Sequence, residues 1–265
     1  MNLFIHIGMQ RTGSTFLQYS VFSQSDEINL VDFDKKNNEL LGNKKIKNIL
    51  TNIEKYDIKF ILEMINKRLK NDKINLISEE NINCKMFSKQ DNRFVKLEKL
   101  KEVFPNAKII FGTRKKDDLI VSWYTKYVMN GGIYNFNKYL EKIVNINKFN
   151  FQPYIKSLFE YYGNKNVFIY DLNELKSNKE DFLNNLCNFI GVNVPKYTDK
   201  KINVSYTLNQ IKLSLFFNNF YKSEMNSKGF ISMPDYYIPH KYIFRTNFFS
   251  NLPRDEITIK DLEKI

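Results

Sequence analysis

Apolar positions along this chain follow two alternating rhythms. Short runs with an almost unbroken apolar character occur at 2–7 (NLFIHI), 73–78 (KINLIS), 107–112 (AKIIFG) and 166–170 (NVFIY). Runs of this length, rich in Ile, Val and Phe, predict strands buried on both faces. Between them the apolar spacing widens to helical intervals. Ile58, Ile61, Leu62, Ile65 and Leu69 predict an amphipathic helix over 57–70, and Leu97, Leu100, Val103 and Phe104 predict another that stops at Pro105 and Asn106. Further helices are expected over Ser14–Phe22, Asp117–Met129, Phe136–Ile143 and Tyr154–Tyr162, the last ended by Gly163. A helix over Lys179–Ile190 has Gly191 where a left-handed C-cap belongs.

Strands alternating with helices predict right-handed βαβ units. The expected fold class is α/β: three layers, with a central parallel sheet flanked by helices. At 265 residues one domain is expected, spanning 1–265. Residues 1–195 would form the α/β core. Residues 196–265 would form a C-terminal helical and loop extension, expected to cover a ligand cleft. That extension has one helix on which Leu208, Ile211 and Leu215 share a face, followed by an aromatic, loop-rich stretch.

Composition narrows the class. Hydrophobic residues make up 43% and aromatics 15% of the chain, enough for a packed core and too much for disorder. There is no apolar run of about 18 residues, and the opening MNLFIHIG reaches glycine too early for a signal segment, so a soluble, cytoplasmic protein is expected. Cys84 and Cys187 stand far apart, and the two histidines, His6 and His240, offer no metal-ligand spacing. Two reduced thiols and no metal are expected. A formal charge of +12 favours anionic ligands and leaves peripheral membrane association through the basic surface open. The lysines are spread throughout instead of clustering with aromatics, which speaks against nucleic acid.

The sharpest local signal is GMQRTGST, residues 8–15, between the first strand and the first helix. A turn there offers backbone N–H groups and a helix N-terminus to an anion. Its length is that of a GxxxxGK[ST] loop, but Ser14 stands where the nucleoside-triphosphate loop has lysine, and the basic residue is Arg11. From the loop's crown Arg11 can offset charge on a departing phosphate oxygen, and Ser14 and Thr15 add hydroxyls. A second signal follows the 107–112 strand. Arg114 at the strand end and Ser122, eight residues on, are placed to meet on one phosphate. Two phosphate sites at separate strand ends suit a 3′,5′-bisphosphate nucleotide, whereas a triphosphate needs one cradle and an acidic Mg²⁺ ligand.

HIGMQRTGSTFLQ, residues 6–18, resembles the 5′-phosphosulfate loop of sulfotransferases that use 3′-phosphoadenosine-5′-phosphosulfate (PAPS), in particular bacterial and carbohydrate sulfotransferases. The separation of Arg114 from Ser122 is similar to that family's 3′-phosphate motif. A weaker likeness runs through SWYTKYVMNGG, VFIYDLNELKSN, FIGV and the NVS at Asn203–Ser205. The chain departs in having Arg11 where Lys is common, and in lacking the Pro and second basic residue often found between Arg114 and Ser122.

The resemblance implies a P-loop-like fold and metal-independent transfer of a sulfuryl group from PAPS, leaving 3′-phosphoadenosine-5′-phosphate (PAP). It implies a hydroxyl acceptor, on a glycan or glycolipid. It assigns Gln10, Arg11, Thr12, Gly13, Ser14 and Thr15 to the 5′ end of the nucleotide, and Arg114 and Ser122 to the 3′-phosphate. Lys228 and Gly229 are the nearest match to a basic loop that closes the nucleotide site. The family's glutamate base falls in ISEEN, residues 77–81: Glu80 is the first choice and Glu79 the alternative. His6 and His240 are rival bases, His6 more in keeping with an interior position. Two other classes compete, a P-loop kinase, which would need the lysine that Ser14 replaces, and a non-catalytic anion- or nucleic-acid-binding protein.

Overall fold

The structure, a computed structural model, describes residues 2–34, 39–40, 44–197, 205–233, 243–244 and 256–265. The strands in chain order are β1 (Leu3–Gly8), β2 (Ile28–Leu30), β3 (Phe33–Asp34), β4 (Glu39–Leu40), β5 (Ile74–Ser78), β6 (Lys108–Thr113) and β7 (Val167–Asp171). Five of them form one sheet in the order β2-β5-β1-β6-β7, every neighbouring pair parallel. β3 and β4 pair antiparallel by themselves.

The α-helices among the described residues are α1 (Ser14–Phe16), α2 (Lys44–Thr51), α3 (Ile58–Asn66), α4 (Arg93–Val103), α5 (Lys116–Met129), α6 (Phe136–Lys142), α7 (Gln152–Tyr162), α8 (Leu172–Ser177), α9 (Lys179–Ile190), α10 (Leu208–Asn218) and α11 (Ile259–Leu262). Their ends follow local chemistry. Asp57 accepts from the N–H groups of Lys59 and Phe60 to open α3, Asp171 and Glu174 form a capping box on α8, and Gly191 closes α9 in the left-handed conformation at φ 85°.

The described residues form two compact units. The first comprises Met1–Lys85, Asp91–Arg114 and Asn150–Lys200 and holds the sheet. Period-two alternation divides its interior into two cores, one per face of the sheet. Leu3, Ile5, Ile7, Ile77, Ile109 and Phe111 join residues of α2, α3, α4 and α7, whereas Phe4, Leu76, Ile110 and Tyr170 join Leu17, Val21, α8 and α9. This is the parallel, helix-flanked sheet that the apolar runs predict. The second unit comprises Met86–Gln90, Lys115–Phe149 and Lys201–Ile265; α10 is stabilised at its start by a capping box of Thr207 and Gln210.

The first helix departs from expectation. Only Ser14–Phe16 is α-helical, and Leu17–Phe22 continues as a π-helix. Such wide turns are rare and recur at functional sites. Here the turn includes buried Gln18, whose amide donates to the Ser78 carbonyl at 3.2 Å and to its Oγ at 2.9 Å.

Candidate active site

The loop from Gly8 to Thr15 leaves β1 under tight constraint. A Cβ on Gly8 would stand 3.0 Å from the backbone N and O of Gly112 on β6, so only glycine lets these strand ends approach. Met9 N–H donates to the Gly112 carbonyl at 3.3 Å, and the buried Thr12 hydroxyl donates to the Met9 carbonyl at 2.7 Å, folding the loop back on itself. Arg11 has φ 78° and Gly13 φ 93°. A left-handed arginine is uncommon, and such strain is kept where surrounding structure enforces it. Arg114, just past β6, donates from Nη1 to the Arg11 carbonyl at 3.4 Å, which ties the second predicted anion site to the crown of the first.

At Gly13 the left-handed backbone is joined by close packing: an added Cβ would lie 2.8 Å from Leu175 Cδ2 and 3.0 Å from Leu172 Cδ1. Gly13→Ala should therefore destabilise the protein by about 1–3 kcal/mol, read as a thermal midpoint lowered by several degrees. An unchanged midpoint would show that the loop relaxes freely.

A single-turn 3₁₀-helix, Glu80–Ile82, follows β5, and its two glutamates have different fates. Glu79 Oε1 accepts from the Asn81 backbone N–H at 3.0 Å and from Asn81 Nδ2 at 2.6 Å. Gln10 from the loop donates to Asn81 Oδ1 at 2.6 Å and to the Cys84 carbonyl at 3.0 Å. Lys96, buried on α4, donates to the Asn81 carbonyl at 3.1 Å and to the Thr51 carbonyl. Asn81 is thus held at all four of its polar groups, and Glu79 is spent in holding it. Among the described residues none hydrogen-bonds the Glu80 carboxylate. Burial, seconded by the charge of Glu79, raises its pKa to about 8 against the opposing pull of Arg11 and Lys47.

A further polar network runs beneath the loop. His6 meets Ser78 Oγ at 2.8 Å through Nδ1 and the Tyr170 hydroxyl at 3.1 Å through Nε2. Thr12 is a further hydrogen-bond neighbour of that hydroxyl. Burial lowers the His6 pKa to about 3, so the ring is neutral at ordinary pH. His6 serves as an interior strut linking β5, β1 and β7 to the loop, the position its sequence context suggests.

The sulfotransferase-domain family model matches residues 3–233 of the chain, a span that takes in the loop, both glutamates and Arg114. The chain belongs to the sulfotransferase family. A sulfotransferase from Alicyclobacillus acidocaldarius superposes with a TM-score of 0.56 at 15% identity, over 82% of this chain and 91% of that one, which shows a shared fold. The sulfotransferase domain of a Synechococcus olefin synthase gives a TM-score of 0.46 at 12% identity, covering 100% of this chain and 92% of that one. A mouse sulfotransferase complexed with PAP gives a TM-score of 0.46 at 19% identity, covering 73% and 60%. No curated protein sequence matches the chain significantly.

In this sulfotransferase the first unit brings together Gln10, Arg11, Thr12, Gly13, Ser14, Thr15, Glu79, Glu80 and Arg114. Ser122, Lys228 and Gly229 belong to the second unit. Ser122 is buried on α5. Lys228 is exposed, and its backbone N–H donates to Asn226 Oδ1 at 3.1 Å. A Cβ on Gly229 would fall 2.2 Å from the Tyr221 carbonyl carbon, so glycine there is demanded by the close return of the chain on itself. His240 and Asn203 lie outside the described residues. Sequence reasoning missed Asn81, Lys96, Gln18 and Tyr170 as parts of the site. Gln18, Asn81 and Tyr170 stood inside quoted motifs with no role assigned to them; Lys96 looks like an ordinary residue of a Lys-rich chain.

The residues present fit a phosphate group. A strained, cationic turn opens a helix, two hydroxyl residues begin that helix, and a second guanidinium is tied to the turn's backbone.

Proposed function

We propose that this sulfotransferase moves a sulfuryl group from PAPS to an acceptor hydroxyl and releases PAP. The observation that carries this reading is the pairing of a left-handed Arg11 at the crown of the Gly8–Thr15 loop with Arg114 on the same backbone. Two guanidinium groups so placed suit a ligand with separate anionic ends. When bound, PAPS supplies an activated sulfuryl group whose S–O bond to the 5′-phosphate breaks as the acceptor oxygen bonds to sulfur.

The chain's own residues then have distinct tasks. Glu80, hydrogen-bonded by none of the described residues and of raised pKa, takes the acceptor's hydroxyl proton onto its carboxylate. Arg11 and the N–H groups of the loop hold the 5′-phosphate and offset the charge it gains as leaving group. Ser14 and Thr15 add hydroxyl donors, and Gln10 fixes the loop to the Glu80 turn through Asn81. Glu79 positions that turn, leaving Glu80 as the base. Arg114 and Ser122 are assigned to the 3′-phosphate by their spacing in sequence, and Lys228 with Gly229 to the closing loop. A glycan or glycolipid acceptor follows from the resemblance to carbohydrate sulfotransferases. Cys84 and Cys187, buried thiols that form no disulfide among the described residues, accord with a reducing, cytoplasmic setting.

The test combines transfer and binding. Incubation with PAPS labelled in its sulfuryl group, across a panel of glycans and glycolipids, should yield a labelled acceptor and PAP. Arg114→Ala should weaken PAP binding by about tenfold to a hundredfold, the cost of losing charge-assisted donors to a phosphate. Unaltered PAP affinity in that variant would remove Arg114 from the site.

A further inference from the structure

The helix α10 leaves large apolar side chains on the side turned to solvent. Its inward face carries Gln210, Ile211, Ser214 and Asn218, all buried, three of them polar. Asn218 Nδ2 donates to the Val128 carbonyl at 2.8 Å and the Gly132 carbonyl at 2.7 Å. The outward face carries Leu213, 45% exposed, and Phe216, 60% exposed, beside Phe217 and Lys212. A surface helix ordinarily turns its apolar stripe inward.

The outward stripe continues past the helix end. Phe216 packs on Phe220 with ring centroids 5.3 Å apart, and Phe220 packs edge-on against Phe230 at 5.7 Å. Phe230 is 76% exposed, and Ile231 beside it is exposed too. Five of the ten exposed large hydrophobics among the described residues fall in this one stretch, so they form a patch and are not scattered.

We propose that this face docks on an anionic lipid bilayer surface. The apolar side chains are flanked by the exposed lysines Lys212 and Lys222, and the 208–233 stretch has one acidic residue, Glu224. Aromatic and aliphatic side chains that enter the headgroup–acyl boundary, with lysines reaching anionic headgroups, are the signature of an interfacial helix. A second copy of the chain meeting this face about a two-fold axis would bring Lys212 and Lys222 up against their own kind in a molecule of formal charge +12, which charge disfavours. The inference is independent of the sulfuryl-transfer reading, since vesicle binding needs no nucleotide.

Cosedimentation of the whole chain with vesicles tests it. The protein should partition onto vesicles of mixed phosphatidylcholine and phosphatidylglycerol, and much less onto phosphatidylcholine alone, with binding weakened by salt. The double substitution Leu213→Ser with Phe216→Ser should reduce partitioning at least about tenfold, and Lys212→Glu severalfold. Both side chains replaced in the double variant are exposed, so its thermal midpoint should hold, which separates lost docking from lost folding. Failure to bind the anionic vesicles, or binding indifferent to these substitutions, would overturn the proposal. So would a lipid-free dimer, seen by light scattering, that the double substitution converts to monomer, because the face would then serve self-association. A partner protein on this face would show as absence of vesicle binding, with the same consequence.

Discussion

Glu80→Gln is expected to lower kcat by about 10²–10⁴-fold, the range for losing a general base, while PAP affinity changes by no more than about twofold. Glutamine keeps the size and cannot take the acceptor's proton. In the wild type the base works only when ionised, so turnover should climb as pH rises through about 8, the pKa that burial and Glu79 impose. The variant should lose that limb. Stability should move the opposite way. The folded pKa lies above the ordinary 4.5, so the folded state keeps an extra proton between pH 4.5 and about 8, and stability falls as pH rises through that window. Glu80→Gln should accordingly raise the thermal midpoint at pH 9 relative to wild type and leave it nearly unchanged at pH 4. Glu79→Gln should retain most of its turnover, since the lost contacts are those that cap the Glu80–Ile82 turn. A dead Glu79→Gln beside a fully active Glu80→Gln would reverse the two roles.

Arg11→Ala should lower kcat by about 10²–10³-fold, the usual effect of removing one group that stabilises charge in the transition state. Three companion results make the prediction specific. Arg11→Lys should recover part of the loss, because a lysine ammonium still supplies the charge but not the fork. Arg11→Gly should be as inactive as the alanine variant yet somewhat more stable, by about 1 kcal/mol, since φ 78° suits glycine and strains arginine. The alkaline shift of the pH–rate profile should grow in both, because Arg11 is one of the charges that hold the Glu80 pKa down. Stopped-turnover assays across pH, paired with thermal melts, read all three. An Arg11→Ala variant with wild-type kcat and an unshifted profile would take Arg11 out of the chemistry.

The frame of this fold was plain in the sequence because its strands are buried on both faces. Leu3–Gly8, Lys108–Thr113 and Val167–Asp171 read as apolar runs and appear within one residue of the predicted ends. Gly191 closes α9 at the residue expected. β2, three residues long, escaped notice because Ile28–Leu30 offers too few positions for a period. The Leu17–Phe22 π-helix escaped too, since apolar spacing does not separate a π-turn from an α-turn over so short a stretch. On α10 the spacing put Leu208, Ile211 and Leu215 on one face, and of the three only Ile211 is fully buried. Ser214 and Asn218 share that face, and the inward turn of Asn218 is set by the carbonyls of Val128 and Gly132, which no local pattern reveals.

The site divides in the same manner. Gly8, Arg11 and Gly13 declared themselves through a motif whose backbone demands are local. The choice between Glu79 and Glu80 was open in ISEEN, because both sit at the mouth of β5. The proposed choice of Glu80 rests on Asn81, which is engaged by Gln10 from a loop 71 residues earlier and by Lys96 from α4. Long-range hydrogen bonds of this kind leave no period in the chain. Tyr170 likewise reads as one more core aromatic in NVFIYD, although its hydroxyl meets His6 beneath the loop.

Isothermal titration of the purified protein with PAP in the presence of EDTA, against ATP with Mg²⁺, tests the central claim most directly. The account predicts one PAP bound per chain without metal, and ATP–Mg²⁺ weaker by at least about a hundredfold, because the proposed ligand is a bisphosphate and Ser14 stands in place of a triphosphate lysine. ATP–Mg²⁺ binding tighter than PAP, or no PAP binding at all, would contradict it.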